Sequence, residues 1–289
     1  MASIKTLKSR IRSVGSTRQI TKAMQLVAAS KMRRAQEADK ASAPYTRAAS
    51  ELLAYLAAQG ATDEHPLFKR RNVAARLLIV IAADKGLAGA YNSNITKAYI
   101  GQLEADKASS VATKTLVIGR RAAQFVSRLK GVDVVGVYED LPDKPAGREL
   151  RSILDTALDM FESGEVDAVD VIFTEFRSSI SQVAITRRLL PAGFEFAIDD
   201  MQEHEAKYEP SIPEVINGVA YRLVGAQLFQ ALLDARASEH SMRMLAMKNA
   251  TDNANDLIDD LTLEMNKVRQ AAITQELAEI SGGVEALNE

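Results

Sequence analysis

The sequence predicts a small α/β domain between two long helices that pair as an antiparallel coiled coil. Near both ends of the chain, apolar residues recur every three or four positions, which is the spacing of one helix face. Between the ends, short β-branched runs alternate with helix-patterned stretches, and this alternation favours a mostly parallel sheet. The composition agrees, because the 289 residues include no Trp and only 5% aromatic residues, which favours helices over sheets.

The first long helix is predicted from the segment between Ser16 and Gln59, which contains no Gly and only one Pro, Pro44. A pattern of this length without breakers is typical of a helix that extends beyond a compact domain. We assign residues 1–60 to this coiled-coil helix. Its predicted apolar stripe consists of Ile4, Leu7, Ile11, Val14, Ile20, Met24 and Val27.

Five short runs in the middle of the chain predict the strands of a Rossmann-like sheet. The fifth run follows the fourth after only four residues, which is too short for a helical crossover, so we expect it to pair antiparallel at an edge. We assign residues 61–210 to this central domain and its linker to the last helix. The predicted strands cover residues 76–83, 114–119, 132–138, 168–176 and 181–191.

The second long helix is predicted from residues 226–281, which contain neither Gly nor Pro. At about 1.5 Å per residue, such a run spans roughly 80 Å, too long for a compact domain to bury. Because a long helix lies at each end of the chain, antiparallel pairing buries both stripes at once. We assign residues 211–289 to this helix. Its predicted stripe consists of Leu257, Leu261, Met265, Val268 and Ala272.

Charge is distributed unevenly, although the formal net charge is only -2. Residues 1–40 contain ten Lys or Arg against Glu37 and Asp39, whereas the stretch from Asn249 onward is acidic. Two interpretations carry equal weight: the charges set the helix pairing, or the basic helix meets acidic loops of a partner. The basic helix lacks aromatic residues on which bases could stack, so no nucleic-acid partner is predicted.

The best candidate for a phosphate-binding loop is the turn of residues 83–94, which follows the first predicted strand. Its glycines, Gly86 and Gly89, lack the third glycine of a dinucleotide fingerprint, so nucleotide binding is disfavoured. The favoured interpretation is a tight strand-to-helix turn in which Asn92 or Ser93 caps the helix. An enzyme that uses this loop, with the coiled coil as a docking arm, is the alternative function.

Metal and thiol chemistry are also disfavoured. The chain has no Cys, which excludes disulfides, thiolate ligands and a thiol nucleophile. Its three His are far apart in sequence, and the acids at positions 256, 259, 260 and 264 are more typical of a solvated helix face than of a cation site. We therefore expect no catalytic residue, cofactor or metal.

Three segments resemble the F-type ATP synthase gamma subunit. ITKAMQLVAASKMRRAQ, residues 20–36, is similar to the family's N-terminal signature. The stretch of residues 247–287, which begins MKNATDNANDLIDDL, is similar to the C-terminal signature, and DKGLAGAYNSN, residues 84–94, resembles the central turn. Together the similarity extends over nearly the whole chain.

The resemblance implies a shaft that turns inside a hexamer of three alpha and three beta subunits. It implies as further partners the epsilon subunit and the membrane c-ring, with proton flow driving rotation and catalysis remaining at the alpha-beta interfaces. It implies no cofactor and no direct membrane span. The expected location is the cytoplasmic face of the bacterial inner membrane.

The resemblance also assigns partner contacts to individual positions. Met24 and Arg34 correspond to the contact with the lower rim of the hexamer, and Arg269 and Gln270 to contacts with the loops that catch the shaft. Arg243 belongs to the same surface, and Tyr208 and Glu209 are expected near the membrane ring. The absence of Cys argues against thiol control of the chloroplast kind. Because the family signature begins close to Met1, we expect a bacterial protein without a presequence.

Overall fold

The computed structural model describes residues 3–58, 62, 65–142, 150–192, 209 and 211–288. Along the sequence, one long helix precedes and another follows an alternation of strands and shorter helices. In chain order the elements are α1 (Ile4–Ala58), β1 (Ala75–Ile81), α2 (Tyr91–Ala108), β2 (Ala112–Ile118), α3 (Arg120–Val126), β3 (Asp133–Tyr138), α4 (Arg151–Glu162), β4 (Ala168–Phe176), β5 (Gln182–Leu190) and α5 (Ile212–Asn288).

Both long helices run through residues that usually interrupt helices. Helix α1 is continuous for 55 residues and contains Gly15 and Pro44, while α5 is continuous for 77 residues and contains Gly218 and Gly225. Pro44 removes one backbone donor, and each glycine carries a conformational cost of about 1 kcal/mol. Packing along the helices therefore outweighs these local preferences.

The five strands form one sheet in the order β3-β2-β1-β4-β5. Strands β1, β2, β3 and β4 pair in parallel, and β5 pairs antiparallel to β4 at the edge. This confirms the predicted mostly parallel sheet with an antiparallel fifth strand. The predicted linker to the last helix falls largely on residues 193–208 and 210, which lie outside the described residues.

Helices cover both faces of the sheet. On one face, Leu77, Ile79 and Ile81 of β1 share a core with side chains of α4 and α5 such as Phe161 and Leu228. On the other face, the alternate residues of β1 pack with α2 and α3. Since successive side chains of a strand point to opposite faces, burial on both faces explains why β1 is an unbroken apolar run.

The chain forms two compact units. The coiled-coil unit consists of residues 1–28 and 244–289, and the α/β unit consists of residues 29–243. These boundaries cut through α1 and α5, whereas the three-part division predicted from the sequence follows segments of the chain. The two long helices pair within the coiled-coil unit in antiparallel order, because Arg18 donates a 3.2 Å hydrogen bond to Asn255 and Thr21 meets Thr251.

The seam of the coiled-coil unit differs from the predicted stripe. Ile20, Val27 and Leu257 were expected at the seam but are 60%, 56% and 46% exposed. Their neighbours Thr21 and Ala28 are buried instead. Small side chains let two helices approach closely, and they occupy the seam although they are less apolar than the residues beside them. On α5 one row of buried or half-buried positions follows steps of four and three: Met247, Thr251, Ala254, Ile258, Leu261, Met265 and Val268.

Candidate functional site

The turn after β1 is strained and firmly held. Leu87 and Gly89 adopt positive φ angles of 60° and 56°. A left-handed conformation costs a non-glycine residue roughly 1–2 kcal/mol, so the surrounding contacts must stabilise the turn at Leu87. One of them is Asp84, whose carboxylate Oδ1 accepts hydrogen bonds from the backbone N–H groups of Arg120 and Asp140 at 3.0 and 3.2 Å.

The predicted capping role of Asn92 or Ser93 is wrong. Helix α2 begins at Tyr91 with Ala90 as its cap residue, and no side chain caps it. Asn92 instead accepts a 3.1 Å hydrogen bond from the backbone N–H of Ala83, at the end of the strand that precedes the turn. Helix α2 starts two residues before the position that an Asn92 cap would require, so the Asn92 side chain is free to fasten the turn to the sheet.

The carboxyl ends of β1 and β4 form the switch point of this sheet, where ligands bind in open α/β folds. Helix α5 occupies this place. Its Met242 packs against Ala83, Ala88 and Tyr91, and its Ser238 donates a 3.1 Å hydrogen bond to the Thr174 carbonyl in β4. The place where a nucleotide would bind in a Rossmann-like enzyme is thus filled by the chain's own helix.

The same stretch of α5 contains a buried charged group. Arg243 forms a 2.7 Å ion pair with Glu239, and its side chain is only 11% exposed. Its guanidinium also donates to the carbonyls of Lys85 and Gly86 in the strained turn. Burial raises the pKa of the neighbouring Tyr91 phenol well above its ordinary value, and the negative charge of Glu239 raises it further. Tyr91 therefore remains a neutral packing residue at physiological pH.

A second group of charges lies where α1 and α5 face each other inside the α/β unit. The pKa of Asp234 is raised to about 7, first by burial and then by the Asp39 carboxylate, while Arg187 lowers it and Glu175 raises it. Burial likewise raises the pKa of Asp39, against a hydrogen bond from Gln230 that lowers it. The pKa of each carboxyl group is thus raised above its ordinary value.

The coiled-coil unit exposes large apolar side chains on its outer surface. On α1 these are Ile20, Leu26 and Val27, all more than half exposed. Helix α5 adds a longer series: Leu257, Leu263, Ile273, Leu277 and Ile280. Apolar surface that recurs along an exposed element marks a place where another protein binds.

The predicted contact residues occupy different environments. Met24 is half-buried, Arg269 and Gln270 are exposed on α5, and Arg34 is exposed and donates a 3.2 Å hydrogen bond to Ser30. Glu209 is exposed just before α5, while Tyr208 lies outside the described residues. The roles of all these residues as partner contacts remain predictions, and Arg243 differs from the others because its donors already engage the chain's own carbonyls.

Sequence reasoning missed several residues that the structure brings together. Ser238 and Ser241 are fully buried and bond to β4 and to the loop after it, and nothing in their local sequence indicates this.

Within the described part of the chain, no three His, Asp or Glu side chains come close enough to hold a metal ion. None of the described helices has the length and apolarity needed to cross a membrane. The acids at positions 256, 259, 260 and 264 are all exposed.

These features define a class of protein in which a long two-helix coiled coil is built onto a small α/β domain whose ligand crevice is filled. The model of the ATP synthase family matches residues 3–287. The chain belongs to this family, as one of its gamma chains.

Curated relatives agree over the full length. The chain is 37% identical to the ATP synthase gamma chain of Staphylococcus saprophyticus, over 99% of this chain and 100% of the relative. It is 35% identical to the ATP synthase gamma chain of Staphylococcus epidermidis, with the same shares covered.

Solved structures share the fold. A chain from the mitochondrial ATP synthase of Euglena gracilis, solved with the F1 part and c-ring, has a TM-score of 0.66 at 15% identity and covers 98% of this chain and 94% of its own. A chain from the central stalk and c-ring of the Tetrahymena thermophila mitochondrial ATP synthase has a TM-score of 0.61 at 24% identity, covering 80% of this chain and 99% of its own.

Proposed function

We propose that this chain is the central-stalk rotor of an F-type ATP synthase. In this role it couples proton-driven rotation of the membrane c-ring to conformational changes at the catalytic sites of a hexamer of three alpha and three beta subunits. The observation that carries the proposal is the exposed apolar surface of the coiled-coil unit, in a chain whose full-length relatives are ATP synthase gamma chains. Apolar side chains of this kind are buried when another protein surrounds the two helices.

The chain contributes shape and charge, and catalysis belongs to its partners. Rotation presents a different face of the helices to each beta subunit, and a partner that binds one conformation better than another shifts its population. The filled crevice at the carboxyl ends of β1 and β4 supports a non-catalytic role, because α5 occupies the position where this fold would bind a substrate.

The partners follow from the same role. The coiled-coil unit enters the alpha-beta hexamer, where Arg269 and Gln270 contact the loops that catch the shaft. Met24 and Arg34 contact the lower rim. The epsilon subunit and the c-ring bind the α/β unit, with Tyr208 and Glu209, which precede α5 in the sequence, as contacts. The chain then lies on the cytoplasmic face of the bacterial inner membrane as a peripheral part of the complex.

Co-expression tests the proposal. The tagged chain is produced with alpha and beta subunits from the same organism, and the purified complex is weighed by native mass spectrometry. One copy of the chain with three alpha and three beta subunits is the expected result. A monomer or a homodimer that binds neither the alpha nor the beta subunit would contradict the proposal.

A pair of variants tests the surface that carries the argument. Replacing Leu257 and Leu263 by Ser removes exposed apolar area, so the fraction of chain recovered in the complex should fall while the chain stays folded. Asp260→Ala, at an exposed position on the same helix, is the control and should assemble like the wild type. Equal recovery of the double Ser variant and the control would show that the apolar surface does not bind the hexamer.

A further inference from the structure

Helix α5 is bound by hydrogen bonds on one side just before it leaves the α/β unit. Ser238 donates to the Thr174 carbonyl in β4 at 3.1 Å. Ser241 donates to the Ser179 carbonyl at 2.8 Å and accepts from Gln182 of β5 at 3.2 Å. Both serines have no exposed surface. Each bond is directional, unlike the apolar contacts around it, and so it limits how the helix can rotate.

Arg243 binds the helix to another part of the unit. Its Nη2 donates to the carbonyls of Lys85 and Gly86, both at 3.2 Å, and its Nε donates to Gly86 at 3.3 Å. Its Nη1 pairs with Glu239 one turn earlier at 2.7 Å. A guanidinium is a planar fork with fixed donor directions, so this set of acceptors defines the position of the side chain.

The two sets of bonds lie on nearly opposite sides of the helix. With 3.6 residues per turn, Arg243 points about 140° away from Ser238 and about 200° away from Ser241. Bonds on opposite sides of a rod resist its rotation about its own axis, whereas bonds on one side act only as a hinge. The receiving turn is itself rigid, since Leu87 and Gly89 have positive φ and Asp84 accepts two backbone hydrogen bonds.

The position of Arg243 along the helix is also distinctive. The α/β unit ends at this residue, and α5 continues from Met244 as part of the coiled-coil unit. Arg243 is therefore the last residue of α5 that belongs to the α/β unit.

We propose that Arg243 is a positioning residue which, with Ser238 and Ser241, prevents α5 from turning or sliding against the α/β domain, so that torque enters the helix at this point. This role rests on the proposed rotor function and differs from the partner contact predicted for Arg243 by resemblance. Its contacts are the carbonyls of Lys85 and Gly86 and the side chains of Glu239 and His240, all within the chain itself, so no partner needs to supply them.

The test measures two activities of the assembled, membrane-bound complex: ATP hydrolysis and ATP-driven proton pumping. Arg243→Met keeps an unbranched apolar stem but removes every donor of the guanidinium. We expect this variant to hydrolyse ATP at nearly the wild-type rate while pumping severalfold fewer protons per ATP. Arg243→Lys, which restores one charged donor group, should recover part of the wild-type ratio of protons pumped to ATP hydrolysed. Arg128→Met, which removes an exposed arginine elsewhere on the α/β unit, should leave the ratio unchanged.

A second variant covers the case in which Arg243→Met does not assemble. The double change of Ser238 and Ser241 to Ala removes the opposite set of bonds and should lower the same ratio. A wild-type ratio in either variant overturns the proposal, and so does a parallel fall of hydrolysis and pumping, which would indicate a partner contact. If the wild-type chain does not assemble with alpha and beta subunits, that result contradicts the proposed rotor function rather than the role of Arg243.

Discussion

The hydroxyl oxygens of Thr21 and Thr251 lie 2.7 Å apart in a nearly buried part of the seam between α1 and α5. Each hydroxyl also reaches a carbonyl of its own helix, Arg18 at 3.0 Å and Met247 at 2.8 Å. Each hydroxyl has one proton, so one threonine donates across the seam while the other donates to its own helix. Because a carbonyl of the same helix is the alternative acceptor, the contact adds specificity more than stability. A polar pair in a seam favours one register of the two helices over others.

The threonine pair should behave as a coupled unit. Thr21→Val and Thr251→Val should each cost about 1 kcal/mol, and the double variant should cost less than their sum by about 0.5–1 kcal/mol. Amide hydrogen exchange over residues 244–268 of the full chain measures these local stabilities. Thr17→Val, an equivalent change at an exposed position of α1, serves as the control. Strictly additive costs would mean that the two hydroxyls do not interact.

Neighbouring positions on α5 should respond very differently to substitution. Leu261 is 6% exposed in the seam, so Leu261→Asp buries a charge and should cost about 3 kcal/mol or more. Asp260 is exposed, and Asp260→Ala should change stability by less than about 0.5 kcal/mol. Recovery of the chain with alpha and beta subunits, together with hydrogen exchange, provides the measurement. Similar losses for both variants would place the seam on another face.

Gly119 should tolerate no side chain. It has a φ of 100°, and a Cβ built there would lie 2.1 Å from the Ala82 carbonyl oxygen. Gly119→Ala should therefore destabilise the α/β unit by more than about 2 kcal/mol. In Gly101→Ala the new methyl group meets no atom within 4 Å, and stability should rise by about 0.5–1 kcal/mol. Thermal unfolding followed by circular dichroism compares the two, and a stable Gly119→Ala protein would disprove the close approach.

The chain should lose stability as the pH rises towards neutrality, in part because of Asp234. Burial raises the pKa of this carboxyl from 3.8 to about 7, so the folded chain binds its proton more tightly than the unfolded chain does. The stabilisation is complete below about pH 4 and is lost as the pH rises through 7. Asp234→Asn should weaken the dependence of the melting temperature on pH between about pH 5 and 8. Asp259→Asn, a control at an exposed position, should leave this pH dependence unchanged. An unaltered slope in Asp234→Asn would exclude this carboxyl as a cause.

Much of the fold could be predicted because its signals are local. The long runs without breakers predicted α1 and α5, and the β-branched runs predicted all five strands, including the antiparallel edge at β5. Helix and strand periodicity depend only on residues a few positions apart. The predicted helix already extended through Pro44, and α1 is continuous there because packing along the helix outweighs the local cost of the proline.

The choice of helix face shows where local signals end. Ile20 and Thr21 are neighbours, and periodicity allowed a stripe through either one. The structure buries Thr21 and leaves Ile20 60% exposed, because the close approach of α5 selects the smaller side chain. For the same reason, large apolar residues remain outside, where the proposed function requires a partner.

The sequence by itself determined the type and order of the elements, the absence of thiol chemistry and the membership of the chain in its family. Only the tertiary structure decided which face of each helix is buried and what fills the crevice of the sheet. It also showed that Arg243 binds Gly86, 157 positions earlier in the chain. The acceptor is a backbone carbonyl, and since every residue has one, no sequence pattern can indicate which of them a distant guanidinium will reach.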